Sequence, residues 1–180
     1  MIGTMMRFLR RPAVAVAGAA AVLASMIGAV RPAQAYPAYH LVQIKTSTGK
    51  CLTIRNQSTG DGASLEQNRC QNLPAQRFKS MNDGVANPTH EIRTFADKCL
   101  TILGASGGNG VTWPISQQEC REGSYHQRFT YFAEYGRPDI GFRSLSMGLC
   151  WTVTGVNDGA RIEGDACDGS AAQRFTLVDV

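Results

Sequence analysis

The chain has 180 residues, with 18 Lys/Arg against 14 Asp/Glu, six cysteines and 8% aromatic residues, for a formal net charge of +4. Four of the basic residues, Arg7, Arg10, Arg11 and Arg31, precede residue 36, and no acidic residue does. The rest of the chain is therefore neutral, which removes any electrostatic case for nucleic acid or an anionic membrane surface as partner.

Residues 1–35 read as an export signal. Arg7, Arg10 and Arg11 lead into the uncharged, Ala- and Val-rich residues 13–30, and Ala33-Gln34-Ala35 has the small-x-small pattern of a signal-peptidase site. Cleavage after Ala35 predicts a secreted, extracellular protein with no stable membrane association. Residues 36–180 suit one domain of ordinary size.

That domain repeats itself three times. Lys50-Cys51-Leu52-Thr53-Ile54 returns as Lys98-Cys99-Leu100-Thr101-Ile102 and as Leu149-Cys150-Trp151-Thr152-Val153. Each copy continues to a second cysteine (Cys70, Cys120, Cys167) and a Gln-Arg-Phe, at Gln76-Arg77-Phe78, Gln127-Arg128-Phe129 and Gln173-Arg174-Phe175. Self-similarity about every 50 residues marks a unit that buries its core only against its siblings. The copies span residues 39–81, 90–132 and 140–178.

Within each copy the apolar residues alternate, Leu52 and Ile54 against Cys51 and Thr53, which is the period of a strand. Four strands per copy are expected, at residues 41–44, 51–54, 64–68 and 76–79 in the first, with 91–95 and 140–145 opening the second and third. Turn residues cluster at 58–62, 104–110 and 155–159, and residues 81–88 and 133–139 connect the copies. Twelve short strands in three groups predict an all-β, threefold pseudo-symmetric barrel, whose closure removes exposed edges. Its expected core is Leu52, Ile54, Leu65 and Phe78, with Leu100, Ile102, Ile115 and Phe129, and Trp151, Val153, Ile162 and Phe175. Arg77, Arg128 and Arg174, alternating with inward Gln and Phe, are expected to be exposed and available to a partner.

All six cysteines follow residue 35, two per copy, and an even number in an exported chain points to disulfides. The repeat selects Cys51–Cys70, Cys99–Cys120 and Cys150–Cys167, each closing a loop of about twenty residues worth on the order of 3 kcal/mol. No Cys-x-x-Cys occurs, and His40, His90 and His126 show no ligand spacing, so neither metal nor cofactor is expected.

From residue 39 to 178 the chain resembles the ricin B-type lectin family, whose β-trefoil repeats carry a Cys-Leu strand, a paired second cysteine and a closing Gln-x-Trp. Here Phe stands for that Trp in all three copies. Side chains two apart on a strand share a face, so Thr53, Glu66 and Asn68 converge beside the first disulfide. Thr101, Ser116 and Gln118 converge beside the second, and Thr152, Glu163 and Asp165 beside the third. The resemblance implies that these are sugar sites, completed by Gln76, by His126 and Gln127, and by Gln173. The family places an Asp at the position of Thr53, Thr101 and Thr152, and a stacking ring at that of Asn68, Gln118 and Asp165. An Asn or His precedes the closing Gln, where this chain has Ala75, His126 and Ala172.

Those departures predict weak binding. A hydroxyl in place of a carboxylate trades a bond of about 1.5–3 kcal/mol for one near 1, and the missing ring removes about another 1 kcal/mol. Glu66 and Glu163 still offer carboxylates, and several weak sites on one body give avidity for a polymer.

No nucleophile lies beside His126 by any motif, and the pairs Glu119/Glu122 and Glu134/Asp139 carry no spacing that implies catalysis. An enzyme is not expected. Two readings follow. The first is a secreted carbohydrate-binding module, best preserved in the second copy, with a polysaccharide as partner. The second is a trefoil scaffold binding a secreted protein, as an extracellular inhibitor does, through the Trp113 loop and residues 133–139.

Overall fold

A computed structural model describes residues 39–82, 89–104, 112–133 and 136–180. The expected export signal, most of the 104–110 turn and parts of both inter-copy connections lie outside the described residues.

Twelve strands follow in chain order. The first copy holds β1 (His40–Thr46), β2 (Cys51–Ile54), β3 (Leu65–Asn68) and β4 (Phe78–Asn82). The second holds β5 (Thr89–Arg93), β6 (Cys99–Ile102), β7 (Trp113–Gln118) and β8 (Phe129–Ala133). The third holds β9 (Ile140–Ser144), β10 (Cys150–Val153), β11 (Ala160–Asp165) and β12 (Phe175–Asp179). Six of them pair around a ring, β1–β4–β5–β8–β9–β12 and back to β1. The other six form the hairpins β2–β3, β6–β7 and β10–β11. This is a β-trefoil, in which each hairpin branches from one barrel strand through a single pair such as Lys45↔Cys51.

All twelve expected core residues are buried. The core is aromatic on the side of the third copy: Trp151 stacks on Phe142 at 4.3 Å and meets Phe129 and Phe175 edge-on. Leu52 and Leu100 occupy the Trp151 position in the other copies, so one large ring there accompanies the smaller Phe of each closing tripeptide. All three disulfides form as the repeat selects, with Cα–Cα distances of 5.0, 4.9 and 5.1 Å.

Two expectations are corrected. The last strand of the first copy begins at Phe78, not Gln76, because Pro74–Gln76 is a 3-10 turn; the same turn recurs at Tyr125–Gln127 and Ala171–Gln173. The arginines that follow are not the exposed residues that alternation predicts, because each folds back from the end of its turn. Arg77 donates to Asn72 Oδ1 at 3.0 Å, and Arg128 Nη1 donates to the buried Glu91 at 2.5 Å, where Arg93 also binds. Arg174 is 2% exposed, donates to Gly169 O and lies over the Phe132 ring.

The copies are joined through their hairpins. Gln67 Nε2 donates to Gly155 O at 2.8 Å and Asn157 O at 3.1 Å, clasping the third copy's turn to the first copy. Gln117 Nε2 repeats this on Ser58 O and Gly60 O, at 2.8 and 2.7 Å. The third copy has Gly164 at that position, and a Cβ there would meet Ile102 Cδ1 at 2.5 Å and Trp113 Cβ at 3.2 Å.

Candidate functional site

The hairpin registers place the expected site residues opposite one another. Thr53 pairs with Glu66, Thr101 with Ser116 and Thr152 with Glu163, while Asn68, Gln118 and Asp165 face the first cysteine of each disulfide. Sequence alternation therefore locates the three faces correctly.

The threonines and glutamines on those faces are engaged with each other. Thr53 Oγ1 donates to Cys51 O at 3.0 Å and accepts from Gln76 Nε2 at 3.1 Å. Gln76 also donates to Arg69 O at 2.9 Å and accepts from Gln71 N at 2.8 Å. Thr101 and Gln127 repeat the arrangement, with Gln127 donating to Thr101 Oγ1 and Glu119 O and accepting from Arg121 N. Thr152 and Gln173 do so a third time, against Ala166 O, Asp168 N and Gly169 N. A threonine has one proton to donate, and here it goes to the chain's own carbonyl two residues back. The three Thr–Gln pairs close the loop behind each disulfide, a structural task at positions that the family resemblance implies as ligand-binding.

Other groups face the clefts. In the second copy a cleft of about 340 Å³ is lined by Asp61, Thr101, Gln118, Arg121, His126 and Gln127, within the general range of small-ligand sites, roughly 300–1,000 Å³. Ser116 is buried beneath Gln118, whose amide donates to its hydroxyl at 3.2 Å. In the first copy a more open cleft of about 580 Å³ gathers Thr53, Glu66, Asn68, Gln76 and Asp158. Glu66 there accepts from Asn68 Nδ2 at 2.8 Å and lies 3.9 Å from Arg55 Nε. In the third copy Glu163 is half-buried and pairs across to Pro114, and the exposed Asp165 accepts from Ala166 N.

Asp61 and Asp158 escaped the sequence reading because each comes from the turn of a neighbouring copy. Asp61 pairs with Lys98 at 2.8 Å, and Asp158 pairs with Lys50. Gly62 and Gly159 follow them at φ of +82° and +81°, a conformation that favours glycine, and donate to Gln117 O and Gln67 O. The Asp-Gly dipeptide and the Lys before Cys51 and Cys99 were legible signals, but for a turn rather than a site. The hydrogen bond from Lys50 holds the Asp158 carboxyl below the usual carboxylate range, and that with Asp61 raises Lys98 above the usual lysine value.

Trp113 is not a free anchor, since it packs half-buried against the core. Glu91, Cys99 and Cys120 lie within metal-like distances, but both sulfurs belong to one disulfide and supply no thiolate.

The protein is similar in fold to the designed threefold-symmetric protein ThreeFoil, at a TM-score of 0.69 and 22% identity over 78% of this chain and 99% of that one. It is also similar to the Rhizoctonia solani agglutinin, at 0.64 and 11% identity over 79% and 96% of the two chains. The hemolytic lectin CEL-III matches at 0.62 and 20% identity over 77% of this chain but only 30% of its own. No curated protein sequence matches the chain. The profile of the ricin-type β-trefoil lectin domain matches residues 40–175. With the ring-and-hairpin topology and one disulfide per copy, that match makes the chain a member of the ricin-type β-trefoil lectin family.

Proposed function

We propose that the chain is a secreted carbohydrate-binding module that holds a polysaccharide weakly through the clefts of its first and second copies. The observation that carries this reading is the carboxylate each cleft receives from a neighbouring copy, Asp61 in one and Asp158 in the other. A sugar is recognised by acceptors and donors set at fixed spacing for adjacent hydroxyls, and these two Asp residues restore the charged acceptor that Thr53 and Thr101 lack. Glu66, Asn68, Gln118, Arg121 and His126 are among the other polar groups around them. Two weak sites on one rigid body suit a repetitive polymer, where avidity multiplies modest affinities. The alternative of a protein partner met through the Trp113 loop and residues 133–139 loses one of its contacts as a freely projecting anchor, because Trp113 packs half-buried against the core.

The test is retention of the mature protein on a panel of insoluble polysaccharides, with release by soluble sugar. Asp61→Asn is expected to lower affinity about fivefold to tenfold, the difference between a charged and a neutral acceptor. Asp61→Asn with Asp158→Asn should abolish retention, and His126→Ala or Gln118→Ala should weaken it. Absence of retention on every glycan would overturn the reading. N-terminal sequencing of protein recovered from the medium should begin at Tyr36; recovery only with cells would remove secretion.

A further inference from the structure

Resting on that carbohydrate reading, we propose that Tyr125 is a specificity-determining residue of the second cleft, a stacking platform that makes it read at least two linked pyranose rings. Among the described residues Tyr125 is one of the two most exposed large hydrophobic side chains, at 67% relative accessibility. It opens the 3-10 turn Tyr125–Gln127, whose last residue is the buried Gln127 that closes the loop behind the disulfide. The turn's position is therefore fixed from within, and the ring is held outward by a rigid support rather than by a loose loop.

The threefold pattern breaks at this point. The equivalent residue is Pro74 in the first copy and Ala171 in the third, and the next is Ala75 or Ala172 where the second copy has His126. The second copy alone thus carries a ring and an imidazole side by side. On the strand, where the family keeps its ring, Gln118 is tied to Ser116 and offers no platform.

Tyr125 and Leu145, which is 41% exposed, form a shallow apolar hollow with Gly123 and Ser146. Ser124 and His126 line both this hollow and the polar cleft, so the two surfaces are continuous. A pyranose ring has hydroxyls on its edge and C–H groups on its face. The cleft around Asp61 matches the first, and the Tyr125–Leu145 shelf matches the second. With one ring hydrogen-bonded in the cleft, the adjoining ring of the same chain covers Tyr125.

The experiment is calorimetric titration of the mature protein with mono-, di-, tri- and tetrasaccharides of the galactose, glucose and xylose series. Amide chemical shifts of Asp61, Tyr125 and His126 are followed alongside. In the preferred series, affinity should rise about fivefold to tenfold between the monosaccharide and the trisaccharide, the range of an aromatic contact. Tyr125→Ala should lose most of that gain and Tyr125→Phe should keep it. Because Tyr125 is exposed, the variant is expected to keep its fold, and a thermal melt checks this. Shifts at Asp61 and His126 with a chain-length gain that survives in Tyr125→Ala would overturn this proposal alone. No shift at Asp61 or His126 with any sugar would overturn the carbohydrate reading, and this proposal with it.

Discussion

The first copy's two joints and the joint between the second and third copies solve one problem with opposite chemistry. At the first copy's joints a buried glutamine, Gln67 or Gln117, donates to two carbonyls of a neighbouring turn, and a Lys–Asp pair closes the rim. At the third joint Gly164 replaces the glutamine and Leu149 replaces the lysine, and the space is taken by Ile102, Trp113 and Leu149 side chains. Residues 105–111 of the second copy lie outside the described residues. The same backbone pairing thus tolerates either an amide clasp or apolar packing. Among the described residues the amide version is the one that draws an aspartate from a neighbouring copy to the edge of a cleft, so a choice made for folding decides which clefts receive a carboxylate across a joint.

Removing the clasps tests this contrast most severely. Gln67→Ala leaves Gly155 O and Asn157 O without that donor and Thr48 without its acceptor, at a cost of about 3–4 kcal/mol. Gln117→Ala should cost about 1 kcal/mol less, because Gln117 Oε1 has no partner to lose among the described residues. Urea unfolding of the two variants measures the order, and equal losses would deny the distinction. At the apolar joint, Gly164→Ala forces Ile102 and Trp113 to shift and should cost about 1–2 kcal/mol; a neutral result would mean that this joint is loosely packed.

A gain is expected from repairing the second copy. In the first, Thr46 Oγ1 meets Thr48 Oγ1 at 2.9 Å, and Thr48 donates to Gln67 Oε1 at 3.2 Å. In the second, Ala96 stands at the Thr48 position, and both Thr94 Oγ1 and Gln117 Oε1 are buried without a partner among the described residues. Ala96→Thr should restore the relay and add about 1 kcal/mol, visible as a higher urea midpoint.

The smallest effect is on pH. Asp158 is held below the ordinary carboxylate value by Lys50, so its contribution is complete above about pH 4, where the unfolded chain ionises, and is lost as pH falls through the lowered value. Lys98 is raised by Asp61, so its contribution holds below about pH 10 and disappears as pH rises through the raised value. Stability should be flat between these limits as far as the two rims are concerned, and Lys50→Met should lessen the acid loss without changing the alkaline one. Acid and base titrations followed by circular dichroism compare the variants.

Much of the candidate site's placement on shared strand faces was legible in the sequence, and its hydrogen bonding was not. Alternation put Thr53, Glu66 and Asn68 on one face because side-chain direction in a paired strand has a period of two. It could not show that Thr53 would spend its proton on Cys51 O, or that Gln76 would leave the strand for a 3-10 turn, since both depend on where the loop behind the disulfide returns. Arg174 was misjudged for the same reason: alternation governs residues inside a strand, and Arg174 sits at the end of a turn.

By itself the sequence determined the three copies, their strands, the sulfur pairings and the residues that fill the centre, because these follow from local period and from identity between repeats. Only the tertiary structure decided that Asp61 and Asp158 join the clefts of the second and first copies. Asp61 and Lys98, or Asp158 and Lys50, meet through the stacking of one copy's turn on another's hairpin. Charged turn residues have no periodicity that announces their partners, so that encounter exists only once the barrel has closed.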